Sequence, residues 1–409
     1  MNGTVPQTMR AAYVDAVGPA GAIRHGELPV PCAGPTDVLV RVTAVAANPV
    51  DTFVRSGAYA TPLPLPFVVG RDLVGEVAAA GPGAADFTAG QRVWCNSLGH
   101  AGRQGSFAQY ATVAAERLYA APPGIDAEHL VAAAHPAASA WLALFRHGRL
   151  RAGETVYVGG GAGNVGGAVA LASRAGARVI ATARAQDAEE VRGLGAAEVL
   201  DHGAPDLDAR VRRAAPGGYD VHLDTSGHGV LADAVESLAP GGRLVAMVGL
   251  GTGPAALPVS RLYTRDASIV GFAISNATTA DLAEAARGVV DVLTDTPWRP
   301  RVAERLPLSM TAEAHRRLEG RGGAGASGPH PSLIVFPARR TRSMMDPRGT
   351  SDRASQECGV QECAVKTCLP RSRGCCSPTS SPWPTCRARV PSTPRCSAAR
   401  SYSTRTRAS

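Results

Sequence analysis

Residues 155–184 read TVYVGGGAGNVGGAVALASRAGARVIATAR, and this stretch decides the fold. An apolar run, TVYVGG, enters a turn carrying Gly161, Gly163 and Gly166. A helical pattern rich in Ala follows, and a second apolar run, RVIATA, begins at Arg178. Backbone without side chains permits a tight turn and lets a diphosphate approach free amides at a helix start. Gly-x-Gly-x-x-Gly alone is a weak signal in a chain with 46 glycines. Its setting here, with a strand before it, a helix after it and a second strand beyond, is what a dinucleotide site requires.

The same rhythm continues downstream. EVLD, DVHLDTS and RLVAMVG are apolar runs separated by helical stretches such as DAEEVRGLG and GVLADAVESL. Strands buried on both faces, each followed by a crossover helix, predict a parallel α/β sheet. Upstream, from about Met9 to Ala120, short strand-like segments (VLVRVTAVA, LVGEVAAAG, FAQYATV) are separated by Gly/Pro turns, predicting a small β-barrel or sandwich. EHLVAAAHPAASAWLALFRHG joins the two regions as a helix ending near Gly148. A long helix, TTADLAEAARGVVDVL, and a final strand, SLIVFP, close the pattern.

The end of the second strand bears on the cofactor. A carboxylate about 20 residues after the glycines holds the adenosine ribose in NAD sites. Here Ala181, Thr182 and Ala183 lead to Arg184, whose guanidinium can grip a 2′-phosphate that a carboxylate would repel. The expected cofactor is therefore NADPH; a solvated Arg at a helix start is the plainer alternative.

The chain has 409 residues and a formal charge of +8. Residues 341–409 hold 11 Arg and one Lys against four acids, whereas the preceding 340 hold 30 basic and 30 acidic groups. A neutral body gives no electrostatic reason to expect nucleic acid or membrane binding. No run of 18 apolar residues suggests a membrane span, and MNGTVPQTMR lacks the pattern of a secretory signal. The expectation is a cytoplasmic protein. Only Cys32 and Cys95 lie in the body, too few for a disulfide framework. Beyond Pro337, branched apolar residues are so sparse that residues 339–409 read as a disordered, basic, Cys/Ser/Pro-rich tail. A shifted reading frame is the alternative.

These motifs resemble the medium-chain dehydrogenase/reductase superfamily, in its zinc-independent quinone oxidoreductase (zeta-crystallin-like) branch. The likeness spans roughly residues 9–337. It is carried by the glycine turn together with Asn48-Pro49-Val50-Asp51, Arg55-Ser56-Gly57-Ala58-Tyr59, Gly70-Arg71-Asp72-Leu73-Val74-Gly75 and Gly241-Gly242-Arg243. The resemblance implies an α/β protein with a GroES-like β-barrel domain and a Rossmann, doubly wound parallel-sheet domain. Residues 1–126 would form the first part of the GroES-like domain, 127–271 the dinucleotide domain and 272–338 the return to the first. It also implies a homodimer acting on a small molecule.

Zinc-using relatives place Cys and His-Glu where this chain has Asn48 and Arg71-Asp72. An amide and a guanidinium do not bind Zn²⁺ there, so no metal is expected. Without a Lewis acid, hydride goes to an acceptor already electrophilic: a quinone, or an α,β-unsaturated carbonyl. By resemblance, Gly161, Ala162, Gly163, Asn164, Val165 and Gly166 lie under the diphosphate, and His202 lies near the adenosine. Met247, Val248, Gly249 and Leu250 end the fifth strand, and Phe272, Ala273 and Ile274 flank the nicotinamide. Ser139 stands where the family often has Thr near the nicotinamide ribose, and Phe53 replaces a cofactor-contacting Tyr. Two catalytic candidates follow. Asn48 could donate a hydrogen bond to a substrate carbonyl. Tyr59 aligns with the proton donor of enoyl-thioester reductases, or is a ring packed at the cleft wall. The remaining alternative is a nucleotide-binding protein with little turnover.

Overall fold

Alternating apolar and polar residues make the first 120 positions a set of short antiparallel strands. A computed structural model describes residues 5–225, 231–247, 256–321 and 332–336. Residues Met1–Arg342 form one compact unit; Ser343–Ser409, a separate unit, lies outside the described residues, as does the tail expected there.

In chain order the first lobe contains β1 (Thr8–Val14), β2 (Arg24–Pro29), β3 (Asp37–Ala47), α1 (Pro49–Ser56), β4 (Phe67–Val68), β5 (Leu73–Ala80), β6 (Arg92–Cys95), β7 (Tyr110–Ala114) and β8 (Tyr119–Ala120). Helix α2 (Ala127–Trp141) leads, through a wider turn over Leu142–His147, into the second lobe. There follow β9 (Thr155–Gly159), α3 (Gly167–Arg174), β10 (Arg178–Ala183), α4 (Ala188–Gly193), β11 (Glu198–Asp201), α5 (Leu207–Ala214), β12 (Tyr219–Asp224), α6 (Leu231–Glu236), β13 (Leu238–Ala246), α7 (Val259–Thr264) and β14 (Ser268–Gly271). The chain ends its described course with α8 (Thr279–Asp295), β15 (Val302–Pro307), α9 (Thr311–Arg321) and β16 (Ser332–Phe336).

The second-lobe sheet has the order β11-β10-β9-β12-β13-β14, and every neighbouring pair is parallel. That is the doubly wound arrangement, with its reversal point between β9 and β12, where a crevice opens at the carboxyl ends of the strands. The first lobe is the GroES-like fold, in which β3 pairs with β5, β7 and β16 and a second small sheet has the order β2-β1-β4.

Two apolar cores support the lobes. Val38, Val40, Phe67, Leu73 and Phe107 lie in the first; Val156, Val158, Val169 and Val179 lie in the second. The second core reaches across to Ala44, Val74 and Trp94 through α2, so that helix rivets the lobes together. Leu282, Ala285, Val289, Val292 and Leu293 of α8 also bury themselves in the second core. Strand β15 then pairs with β16, which joins β3 of the first lobe. Arg243, buried in β13, fastens that core to the segment before β9. It donates to the Gly148 and Arg149 carbonyls and grips both oxygens of Glu154.

Candidate active site

The glycine turn sits at the reversal point of the parallel sheet. Gly160 has φ +84 and leaves β9 in the left-handed region that glycine tolerates. Its amide donates to Thr182 Oγ1 at 3.0 Å, and the Gly161 amide donates to the Thr182 carbonyl at 2.8 Å. Just past β12, Thr225 Oγ1 donates to the Gly159 carbonyl at 2.6 Å, so the ends of β9, β10 and β12 meet at the turn. A Cβ at Gly161 would come within 3.1–3.2 Å of Ala181, Val169 and Val191, and one at Gly166 would lie 2.5 Å from the Gly161 carbonyl oxygen. Close packing, as much as turning, is what these glycines allow. The turn brings the backbone of residues 162–165 to the start of α3, where amides can face an anion. The turn thus fits a diphosphate. For Asn164 only the backbone is described.

Arg184 ends β10 and precedes a short turn over Ala185–Asp187. Its Nε donates to Asp187 Oδ2 at 2.7 Å, leaving the terminal nitrogens of the guanidinium outside this pair. Asp187 is buried and is also held by Arg301 at 2.9 Å. Desolvation raises the Asp187 carboxyl, but hydrogen bonds from Arg184 and then Arg301 outweigh it and hold the group below its ordinary value. The His202 amide donates to the Ala183 carbonyl at 3.1 Å. Arg184 and His202 are therefore neighbours at the carboxyl edge of the sheet.

On the other side of the crevice, Met247 follows β13 and is half-buried. Val248, Gly249 and Leu250 lie outside the described residues. Phe272 follows β14; its amide donates to the Ala246 carbonyl, and its ring stacks on His147 at 4.5 Å between centroids. Ala273 and Ile274 lead into a turn over Ile274–Asn276. Tyr59 meets that turn from the first lobe, its hydroxyl donating to Asn276 Oδ1 at 3.4 Å, a long and weak bond. Phe53, on α1, is half-buried, and its carbonyl accepts from the Tyr59 amide at 3.0 Å. Ser139 is buried on α2, 6% exposed.

Asn48 is placed differently from the sequence expectation. It caps α1, its amide N–H donating to Asp51 Oδ2 at 2.8 Å. Its side-chain Nδ2 donates to Asp72 Oδ2 at 2.7 Å and to the Ala46 carbonyl at 3.3 Å, and the residue is 3% exposed. The expected donor to a substrate carbonyl thus has both amide hydrogens turned to partners within the first lobe. Around it lie buried Asp51, Arg71, Asp72 and, across at α2, half-buried His135. His135 Nδ1 is 3.8 Å from Asp72 Oδ1, beyond hydrogen-bond reach. Burial lifts the Asp51 carboxyl to about 7 and raises Asp72 well above its ordinary value, with the Asp51 charge adding to the second shift. Burial also pushes His135 down to about 3. Among the described residues no group of three or more His, Cys, Asp or Glu is placed to hold a metal ion.

Sequence reasoning missed Gly160, Thr182, Thr225, Asp187 and Asn276. Only Gly160 carried a local signal, as the middle of three glycines after the apolar run TVYV.

Comparison with known proteins agrees with this geometry. Residues 34–123 match the family model "Alcohol dehydrogenase GroES-like domain", and residues 166–290 match "Zinc-binding dehydrogenase". The quinone oxidoreductase of Mus musculus is 30% identical over 330 residues, covering 79% of this chain and 98% of that protein. A solved structure described as an NAD-dependent alcohol dehydrogenase is 30% identical with a TM-score of 0.70, covering 80% of this chain and 99% of that one. A mycobacterial structure complexed with NADPH is 29% identical with a TM-score of 0.67, covering 80% and 100%. With two lobes, a doubly wound sheet and a glycine cradle at its reversal point, the chain belongs to the medium-chain dehydrogenase/reductase superfamily as an enzyme of its quinone oxidoreductase branch.

Proposed function

We propose that the enzyme reduces a quinone with hydride from NADPH and uses no metal. The observation that carries this reading is the Asn48–Asp72 hydrogen bond beside Arg71. It fills the place of a zinc donor set with an amide, a guanidinium and carboxyls already committed to each other. An acceptor in this cleft must therefore be electrophilic unaided, as a quinone is. NADPH supplies the hydride when bound. The chain's own residues cradle its diphosphate on the backbone of the turn at 161–166 and its 2′-phosphate on Arg184, anchored at Nε by Asp187. Because solved relatives are described with either nicotinamide cofactor, the choice of NADPH rests on Arg184.

A second reading, enone reduction, draws on Tyr59. Its hydroxyl is held only by the long bond to Asn276, on the turn that follows Phe272–Ile274. Reducing an enone leaves an enolate carbon that needs a proton, whereas hydroquinone oxygens take theirs from water. NADPH oxidation with 1,4-benzoquinone and with cyclohexenone separates the two. Quinone turnover unchanged in Tyr59→Phe supports the first reading. Enone turnover that falls about 10²–10⁴-fold supports the second. A protein that binds NADPH yet reduces neither would refute both.

The homodimer expected from family resemblance is also part of this proposal. Among the described residues strand β14 is the edge of the sheet, with Ile269 and Val270 only half-buried. On α7, Val259 and Tyr263 are 64% and 81% exposed. An apolar, unpaired edge invites a second chain. Light scattering should give twice the chain mass, and a monomer at micromolar concentration would contradict it.

A further inference from the structure

Residues 296–301, TPWRPR, join α8 to β15. Pro297 and Pro300 fix φ at two positions of this short segment, so little chain entropy is lost in ordering it. Thr296 Oγ1 donates to the Val292 carbonyl at 2.6 Å and accepts from the Trp298 amide at 3.2 Å. The Arg299 guanidinium donates to the Thr296 and Trp298 carbonyls. The segment is a stiff strap tied to the end of α8.

Trp298 fixes where the strap lies. It is 3% exposed, and its ring packs on the start of α3: a Cβ at Gly167 would come within 3.2 Å of Trp298 Cζ2 and Cη2, and one at Gly166 within 3.7 Å of Nε1. Three residues on, Arg301 Nη2 pairs with Asp187 Oδ1 at 2.9 Å and donates to Glu190 Oε2. The other oxygen of Asp187, Oδ2, accepts from Arg184 Nε at 2.7 Å. Asp187 is 5% exposed, so its charge is poorly hydrated and is answered by these two guanidiniums. The strap thus touches the glycine turn through Trp298 and the Arg184 pair through Arg301.

Sharing one carboxylate decides how much of Arg184 stays free. An arginine and a carboxylate left to themselves favour a bidentate pair, which takes two guanidinium nitrogens and cancels the charge. With Oδ1 held by Arg301, Asp187 meets Arg184 at Nε. We propose that Arg301 is a positioning residue for cofactor choice: by occupying Asp187 Oδ1, it keeps the terminal nitrogens of Arg184 available to a 2′-phosphate. This inference rests on the NADPH grip proposed for Arg184. Arg301 acts through Asp187 and does not touch the nucleotide. Without it, Asp187 closes on Arg184 with both oxygens.

The test is calorimetric titration of the full chain with NADPH and with NADH, in the parent, Arg301→Met, Arg301→Lys, Arg184→Ala and the double variant Arg184→Ala/Arg301→Met. Arg301→Met should weaken NADPH about tenfold, the worth of one charge-assisted hydrogen bond. Its NADH affinity should equal the parent's, which also shows that it folds. Arg301→Lys keeps a cation at Asp187 Oδ1 and should restore most of the loss. In the Arg184→Ala background, Arg301→Met should cost NADPH nothing more, as expected of residues that act through one another. Three results overturn the inference while leaving the Arg184 grip in place. They are an Arg301→Met protein that binds NADPH as tightly as the parent, a loss shared equally by NADH, and a loss that persists undiminished in the Arg184→Ala background. Equal losses of NADPH and NADH in Arg184→Ala would remove the grip itself, and the inference with it.

Discussion

Replacing Gly166 with Ala isolates one contact. Gly166 has φ −57 and ψ −22, right-handed values that alanine adopts freely, so backbone strain plays no part. On helix propensity alone the change should stabilise the start of α3 by roughly 0.5–1 kcal/mol. Against this, the new Cβ would stand 2.5 Å from the Gly161 carbonyl oxygen, where 3.0 Å is the practical limit. Both partners are backbone, so the turn must shift by about half an ångström. Overpacking of this kind costs about 1–3 kcal/mol, and the net expectation is a loss of about 1–2 kcal/mol. The shift also moves the backbone of the turn, so NADPH affinity should drop at least about tenfold. Gly163→Ala is the control. Its backbone is extended and its nearest contact, Gly160 O, is at 3.3 Å, so apo stability should change by no more than about 0.5 kcal/mol. Urea denaturation without nucleotide and fluorescence titration with NADPH measure the two effects separately. An apo Gly166→Ala protein as stable as the parent, or more so, would refute the reasoning.

Two further outcomes are expected. Arg184→Ala should weaken NADPH by about 10–100-fold, the worth of charge-assisted hydrogen bonds to the 2′-phosphate. NADH should change little, and calorimetry finding equal losses would contradict the phosphate grip. His315 is buried on α9 with both ring nitrogens unpartnered, and burial pushes it down to about 3. The unfolded chain takes up that proton near the ordinary value of 6.5, so the stability this group contributes is present above 6.5 and is lost as pH falls below it. Between pH 7 and pH 5 the parent should lose about 2 kcal/mol more than His315→Leu. Parallel urea midpoints for the two proteins would show that the histidine is not buried neutral.

What the sequence disclosed follows from how far each signal reaches. The strand, glycine turn and helix at 155–174 depend on contiguous residues, and they were legible. So was the apolar stripe of α8, but a stripe names no partner; Leu282 and Val289 turned out to face the parallel-sheet core. The side-chain bond from Asn48 to Asp72 joins residues 24 apart, and that from Tyr59 to Asn276 joins residues 217 apart, so composition and period could reveal neither. Residue types at 48 and 71–72 carried the expectation that no metal is used, and their pairing is what the structure adds. A buried guanidinium needs one counter-charge, and here Asp51 and Asp72 both lie near Arg71. Two carboxylates cannot both ionise cheaply in a dry site, so burial raises both Asp51 and Asp72 above the ordinary carboxylate range, the Asp51 charge adding to the shift of Asp72, while Arg71 draws both down. A cluster of one guanidinium, one amide and two carboxyls that hold each other is the basis on which the proposed reaction assigns hydride transfer to an acceptor electrophilic by itself.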